Sequence, residues 1–303
     1  METINWIPPI LGLILSPVLV GIINRTKAKF AGRTGQPILQ LYFDLWKLIR
    51  KGATYSRTAG WVFRAGPIVG LGAAMAAMML VPMGSVESPI SFKGDLILFA
   101  YLFGMMRFFT VIAALDTGSP FEGMGASREV TFSALAEPAL LLGLAAIARQ
   151  CHELSISSML TAITPGAWGQ FSPVLAMVAA ALLVVFLAEN ARIPVDDPNT
   201  HLELTMIHEV MVLDHSGPDF AYILYGAALK LWILGTLLIG IVVPVRTGRP
   251  AVDIACCVAG LFGLAIVVGV IESCMARLRM MKVPQLLLGA IAFSILALVL
   301  VSR

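Results

Sequence analysis

The chain has 303 residues, of which 58% are hydrophobic and 13% charged, with a formal net charge of +3. A soluble globular domain is about a quarter charged, so this composition excludes an ordinary water-soluble fold and indicates a polytopic membrane protein. The small net charge, with no basic patch interleaved with aromatics, argues against a nucleic-acid partner and leaves the lipid bilayer as the first one.

Lipid offers no hydrogen bonds, so each span must satisfy its backbone internally. The expected class is therefore all-α, a single integral membrane domain over residues 1–303 with about eight transmembrane helices. Eight apolar runs are long enough to cross: 4–23, 62–82, 95–115, 131–149, 173–190, 221–245, 252–272 and 284–301. The first follows Glu2, precedes basic residues and lacks a signal-peptide pattern, so it reads as a span. After it, Gln36 to Lys51 places Ile38, Leu41, Leu45 and Leu48 at helical spacing, with Lys47, Arg50 and Lys51 at its basic end. This predicts an amphipathic helix on the cytoplasmic side, either at the membrane interface or packed on the protein's own loops. Tyr42, Phe43, Trp46 and Trp61 suit both. Cys151, Cys256, Cys257 and Cys274 form no C-x-x-C. They read as small apolar filler, and no zinc or iron–sulfur site on this chain is expected.

Lysines and arginines set the orientation. Fourteen fall on the side of the 191–220 loop, five on the other, and Arg107 and Lys230 lie inside spans. Both termini are expected outside, in a bacterial or archaeal cytoplasmic membrane, with the loop facing the cytoplasm.

Ionisable residues inside spans carry the functional signal. Arg107 is central in its run, where a charge costs about 2.5–3.5 kcal/mol and must face a partner or water. Glu137 precedes Pro138, which removes a backbone donor and frees a carbonyl. Glu189 ends the fifth span, Lys230 lies within the sixth, and Glu272 ends the seventh. Structural ion pairing or snorkelling accounts for single residues. A buried file of Glu, Lys and Arg joined by water also passes protons, because burial and opposite charges move the pKa values towards neutrality.

The stretch Glu189 to Asp219 concentrates charge: Asp196, Asp197, Glu203, Glu209, Asp214 and Asp219 face one Arg192, so residues 191–220 carry −5 with histidines neutral. Such a loop opposes a negative lipid surface and suits a protein lid or a water-filled cavity. Pro194 and Pro198 push Ile193 and Asp197 to extended backbone. Thr200 and Glu203 fit a capping box that opens a short helix towards Asp214. His201, His208 and His215 are seven apart, about 10.5 Å on a helix, too far for two of them to share a metal. Titration or hydrogen bonding along one helix face fits better, as does contact with a partner subunit.

Three blocks of residues then resemble a known family. They are Gly32-Arg33 with Gln40, Asp44, Lys47 and Leu48; Leu115-Asp116-Thr117-Gly118-Ser119-Pro120-Phe121 followed by Gly125 to Glu129 and Glu137; and Arg192-x-Pro194-x-Asp196-x-Pro198 with Glu203-Leu204 and Ser216-Gly217. The chain resembles the membrane subunit shared by complex I-type NADH dehydrogenases (the subunit 1 family) and group 4 membrane-bound nickel–iron hydrogenases. The wording of the second block and of Glu272 to Arg279 leans to the formate hydrogenlyase and hydrogenase-4 branch.

The resemblance implies a non-catalytic subunit under a soluble arm of hydrogenase-like large and small subunits and Fe–S subunits, beside antiporter-like membrane subunits. Fe–S clusters and a quinone or NiFe site would sit on those partners. Glu137, Asp196 and Glu203 match family acids, and Arg128 and Arg192 match family arginines. The family usually carries acids where this chain has Asn199 and His201, and the segment from Glu203 to Ser216, holding His208 and Glu209, is longer here. If histidines replace acids, coupling is expected to depend on pH near 6 to 7. The expected function is docking of the soluble arm and coupling of electron transfer to proton or sodium translocation. The site residues expected to carry it are Arg107, Glu137, Glu189, Asp196, Glu203, Lys230 and Glu272, with Arg128, Arg192, Asp197, His201, His208, Glu209 and His215 as loop and partner contacts. The alternatives are a quinone-site subunit and a purely structural anchor. A stand-alone transporter would show internal repeats, and no convincing one is seen.

Overall fold

The computed structural model describes residues 4–196 and 207–302. Among them are ten α-helices, three short 3-10 turns and no strand beyond one isolated bridge between Met83 and Val86. The helices are α1 (Ile7–Phe30), α2 (Gln40–Ile49), α3 (Trp61–Met78), α4 (Asp95–Asp116), α5 (Pro120–Cys151), α6 (Ile156–Ala162), α7 (Pro165–Glu189), α8 (Gly217–Val242), α9 (Pro250–Cys274) and α10 (Val283–Val301). Eight of these segments are long and apolar enough to cross a membrane, and they coincide with the eight expected runs.

Three differences have physical causes. The fourth run, expected over 131–149, belongs to a helix of 32 residues that starts at Pro120. Its first turns carry Glu122, Arg128 and Glu129, which depress hydropathy without breaking the helix. The fifth run gains eight residues before Pro173, and the helix kinks at Phe171, where φ is −122° and ψ 25°. The short α6, seven residues long, is below the length at which periodicity speaks.

Helix α8 is the centre of the bundle, packed against α1, α2, α3, α6, α7 and α9. Its residues from Leu231 to Ile239 are buried on every side, as expected of a helix that is apolar all round. Helices α3 and α4 form one flank, and α5, α7 and α10 the other. Helix α1 packs along α8 and α9, and a proline shapes it. Pro17 has no N–H, so the carbonyl of Leu13 loses its helical donor. The Tyr225 hydroxyl of α8 donates to that carbonyl at 2.8 Å, and the Tyr42 hydroxyl of α2 donates to the next one, on Ile14.

Helix α2 therefore packs on the bundle. A Cβ at Gly21 would lie 1.9 Å from the carbonyl oxygen of Ile38, so only glycine permits this approach. The opposite face of α2 exposes Leu39, Phe43, Trp46 and Ile49. The helix is apolar on both sides, seated on the bundle through one and open through the other.

Candidate functional site

One chain of ion pairs runs from the loop after α7 into the middle of the bundle. Arg107 on α4 is its hub. Its Nη2 donates to Glu189 Oε1 at 2.5 Å, its Nη1 to Glu137, and its Nε lies 3.3 Å from Glu129 Oε1. Lys230 Nζ on α8 donates to the other Glu189 oxygen at 3.1 Å. Twelve residues separate Arg107 from Asp95, and twelve separate Lys230 from Val242, about 18 Å of helix in each case. Asp95 and Ile241 stand at the same end, where the Asp95 carboxylate accepts from the Ile156 amide at 2.7 Å and the Ile241 carbonyl from Trp168 Nε1 at 2.8 Å. Two independent measures thus set the hub deep inside the spans, where charges persist only when paired.

Towards the loop the chain continues through Glu129. His208 Nε2 lies 3.1 Å from Glu129 Oε2, and His208 Nδ1 lies 3.5 Å from Asp196 Oδ2. Arg277 Nη2 reaches Asp196 Oδ1 at 2.8 Å. The same Asp196 Oδ2 accepts the backbone amides of Ile207 and His208, each at 3.2 Å. An α-helix through 208 would send those amides back to carbonyls four residues earlier. Instead the described part of the expected helix is a 3-10 turn, Glu209–Val212.

A second cluster lies nearby. The fully buried carboxylate of Glu272 pairs with Lys27 Nζ of α1 at 2.7 Å and with Arg192 Nη1 at 3.4 Å. The Leu278 amide donates to the Pro194 carbonyl at 2.9 Å. The Ile193–Pro194 bond is cis. Arg192 and Asp196 join the two clusters, since the Asp196 amide donates to the Arg192 carbonyl at 3.3 Å. An open groove of about 960 Å³ beside Lys27 and Glu272 is lined also by Asn24, Arg33, Gln36 and Ser273.

The electrostatics separate the histidines. Burial alone would lower the His208 pKa, but the Glu129 and Asp196 carboxylates outweigh it, against opposition from Lys230, and raise it above the ordinary imidazole value. Burial would raise Asp196, yet His208 and Arg277 hold it below the usual carboxylate range. His215 stacks on Phe63 with ring centroids 3.9 Å apart. Its burial outweighs Asp219 and Asp214 and lowers its pKa to about 4.

The structure thus brings together Arg107, Glu137, Glu189, Lys230, Asp196 and His208, with Glu272 and Arg192 beside them. His215 stands apart against α3. Arg128 and Glu209 are half-buried, on α5 and at the head of the 3-10 turn. Asp197, His201 and Glu203 lie outside the described residues. Among the described residues no three His, Cys, Asp or Glu side chains are grouped so as to hold a metal.

Four participants fell outside the expected site residues: Glu129, Glu122, Arg277 and Lys27, although Glu129 and Arg277 stand within the motif blocks. A signal for two of them exists, because Glu122, Glu129 and Glu137 are spaced seven and eight apart and so share one face of α5. Glu122 Oε1 accepts the Asp214 amide at 3.1 Å, fastening the loop to the start of α5. Other acids are structural: Asp116 accepts the Gly60 amide at 2.6 Å at the start of α3, and Asp253 the Thr247 amide at 2.9 Å.

Comparison with known proteins places this architecture. The chain is 32% identical to formate hydrogenlyase subunit 4 of Escherichia coli over 301 residues, 96% of this chain and 97% of that protein. It is also 32% identical to hydrogenase-4 component C of the same organism, over 77% of this chain and 72% of that one. The fold matches a chain in the structure of a membrane-bound sulfane sulfur reductase, an archaeal respiratory membrane complex, with a TM-score of 0.83, 21% identity and coverage of 99% of this chain and 98% of the other. A model of the NADH dehydrogenase family matches residues 4–302, and with the near full-length identity to formate hydrogenlyase subunit 4 this shows that the chain belongs to the NADH dehydrogenase family of complex I subunit 1-like membrane proteins.

Proposed function

We propose that this chain is the non-catalytic membrane subunit of a hydrogenase- or formate hydrogenlyase-like complex, docking a soluble electron-transfer arm at its loop end and coupling electron transfer to proton translocation. The observation that carries the reading is the continuous file Asp196, His208, Glu129, Arg107, Glu137, Glu189 and Lys230, which spans from the loop to the depth of the hub. An anchor needs no such file. Paired buried charges are weak contributors to stability, whereas linked titratable groups are what proton movement requires.

The soluble partners would be hydrogenase-like large and small subunits with Fe–S subunits, and the membrane partners antiporter-like subunits. Redox cofactors belong to the soluble partners in this reading. The bias of lysine and arginine towards the loop end supports a cytoplasmic loop with both termini on the opposite side.

Glu137→Gln tests the reading, because Arg107 keeps Glu129 and Glu189 as partners and the file loses one titratable group. In the native complex, in sealed membrane vesicles, protons moved per electron pair should fall at least about tenfold, the scale of a lost general acid or base. A complex that assembles and translocates like the parent would establish the chain as an anchor instead.

A further inference from the structure

We infer that His208 is the proton relay between the loop and the membrane-embedded file, passing a proton between Asp196 and Glu129 through its two ring nitrogens. This rests on the proton-coupling reading above and names the residue at which the loop connects to it.

The geometry places one imidazole between two carboxylates that do not otherwise meet. Nδ1 faces Asp196 at 3.5 Å and Nε2 faces Glu129 at 3.1 Å. Neither contact has the alignment of a formed hydrogen bond, so a small turn of the ring makes one or the other. Imidazole is the side chain able to accept at one nitrogen while donating from the other. The other charged groups around it are Arg277 on the far oxygen of Asp196, Arg107 on the far oxygen of Glu129, and Lys230 on α8.

The carboxylates beside His208 keep the charged imidazole accessible near neutral pH, as a relay needs.

The step balances without an outside reagent. With the ring charged, its Nε2 proton passes to Glu129 Oε2, which leaves Glu129 a neutral acid and the ring neutral with its proton on Nδ1. A proton taken up by the Asp196 carboxylate from the loop side then passes to the ring as it turns, which restores the charged imidazole and the Asp196 carboxylate. The Arg107 guanidinium that holds Glu129 ionised then favours release of that proton, so Glu129 does not trap it.

The test uses the native complex in sealed vesicles, with protons moved per electron pair as the readout. His208→Gln keeps hydrogen-bonding capacity and removes titration. It should lower the ratio about tenfold or more and abolish the fall in the ratio with pH that deprotonation of the ring gives the parent. His208→Ala opens a cavity, and added imidazole should restore the ratio there. A parental ratio in His208→Gln alongside a lost ratio in Glu137→Gln overturns the relay and leaves the file standing. Parental ratios in both overturn the file itself. If His208→Gln fails to assemble, rescue of His208→Ala by imidazole supports the relay, and absence of rescue overturns it.

Discussion

At the scale of single residues, the hub shows why position along the chain is a poor guide to partnership. Arg107, Glu137, Glu189 and Lys230 are each legible as misplaced charges in apolar runs, because a lone charge at that depth is expensive. Which of them meet is not legible. Arg107 and Glu189 are 82 positions apart and Glu189 and Lys230 are 41 apart, so their contact exists only once three helices have packed. Glu129 stands in a motif block, yet its part in the site was missed for the opposite reason: it lies among polar residues at the start of α5, where a carboxylate looks ordinary until Arg107 and His208 close on it. The Glu189–Lys230 pair yields a stability prediction. Its two side chains are 6% and 14% exposed, and leaving one buried charge unpaired typically costs about 3 kcal/mol or more. Lys230→Met should therefore destabilise the complex by about 3 kcal/mol, softened by Arg107, which still holds Glu189. The double variant Glu189→Gln with Lys230→Met should recover most of that loss, since both charges go together. Thermal unfolding of the purified complex measures both, and equal losses in the single and double variants would show that the pair is not coupled.

At the scale of elements, the spans follow from hydropathy, and their polar extensions do not. The acidic loop is the instructive case. Its residues suggested a helix, but its described part is held by outside partners: Asp196 takes the amides of Ile207 and His208, Glu122 takes that of Asp214, and His215 lies flat on Phe63 of α3. Those contacts come from α5, α3 and the preceding turn, so no local pattern announces them. They also give the loop two opposed pH responses. The His208 pKa is raised on folding, so its contribution is full below about 6.5 and is lost as pH rises through the raised value. The His215 pKa falls from 6.5 to about 4. Its contribution is full above 6.5 and is lost as pH falls towards 4, because the opened loop binds a proton that the closed loop refuses. Between pH 7 and pH 5 the His215 response alone removes about 2 kcal/mol from the closed loop, roughly a twentyfold rise in opening, and the His208 response offsets part of it. Hydrogen exchange of the amides of residues 207–216, corrected for intrinsic rates, reads this directly. His215→Phe keeps the ring against Phe63 and cannot titrate, so only the opposite His208 response remains and its exchange should not rise as pH falls across that range. An unchanged acid response in His215→Phe would place the response elsewhere.

At the scale of the whole molecule, the bundle is closed around the Glu189–Lys230 pair and open at Glu137. That side chain is 44% exposed, although it is bonded to the guanidinium of Arg107, which is itself 11% exposed. A carboxylate at this depth cannot face hydrocarbon at that exposure without a large cost. A lipid-facing helix also has no reason to keep an acid one residue before a proline. If the proposed complex forms, the outer side of α5 near Glu137 is where another membrane subunit is expected to continue the file, and relatives named as a subunit and a component are in keeping with that. Labelling separates the two surroundings. A thiol introduced by Glu137→Cys should react slowly with a small water-soluble maleimide in the intact complex, where a neighbour covers it. In the subunit dissociated from its membrane partners and held in detergent, it should react at least about tenfold faster, the range expected when burial no longer raises a thiol's pKa or blocks its access. Equal rates in the two states would mean that no subunit sits on this face and that the file ends at Glu137. Fast labelling in the complex would mean instead that Glu137 opens onto a water-filled cavity, which would place the onward proton path in solvent rather than in a neighbouring subunit.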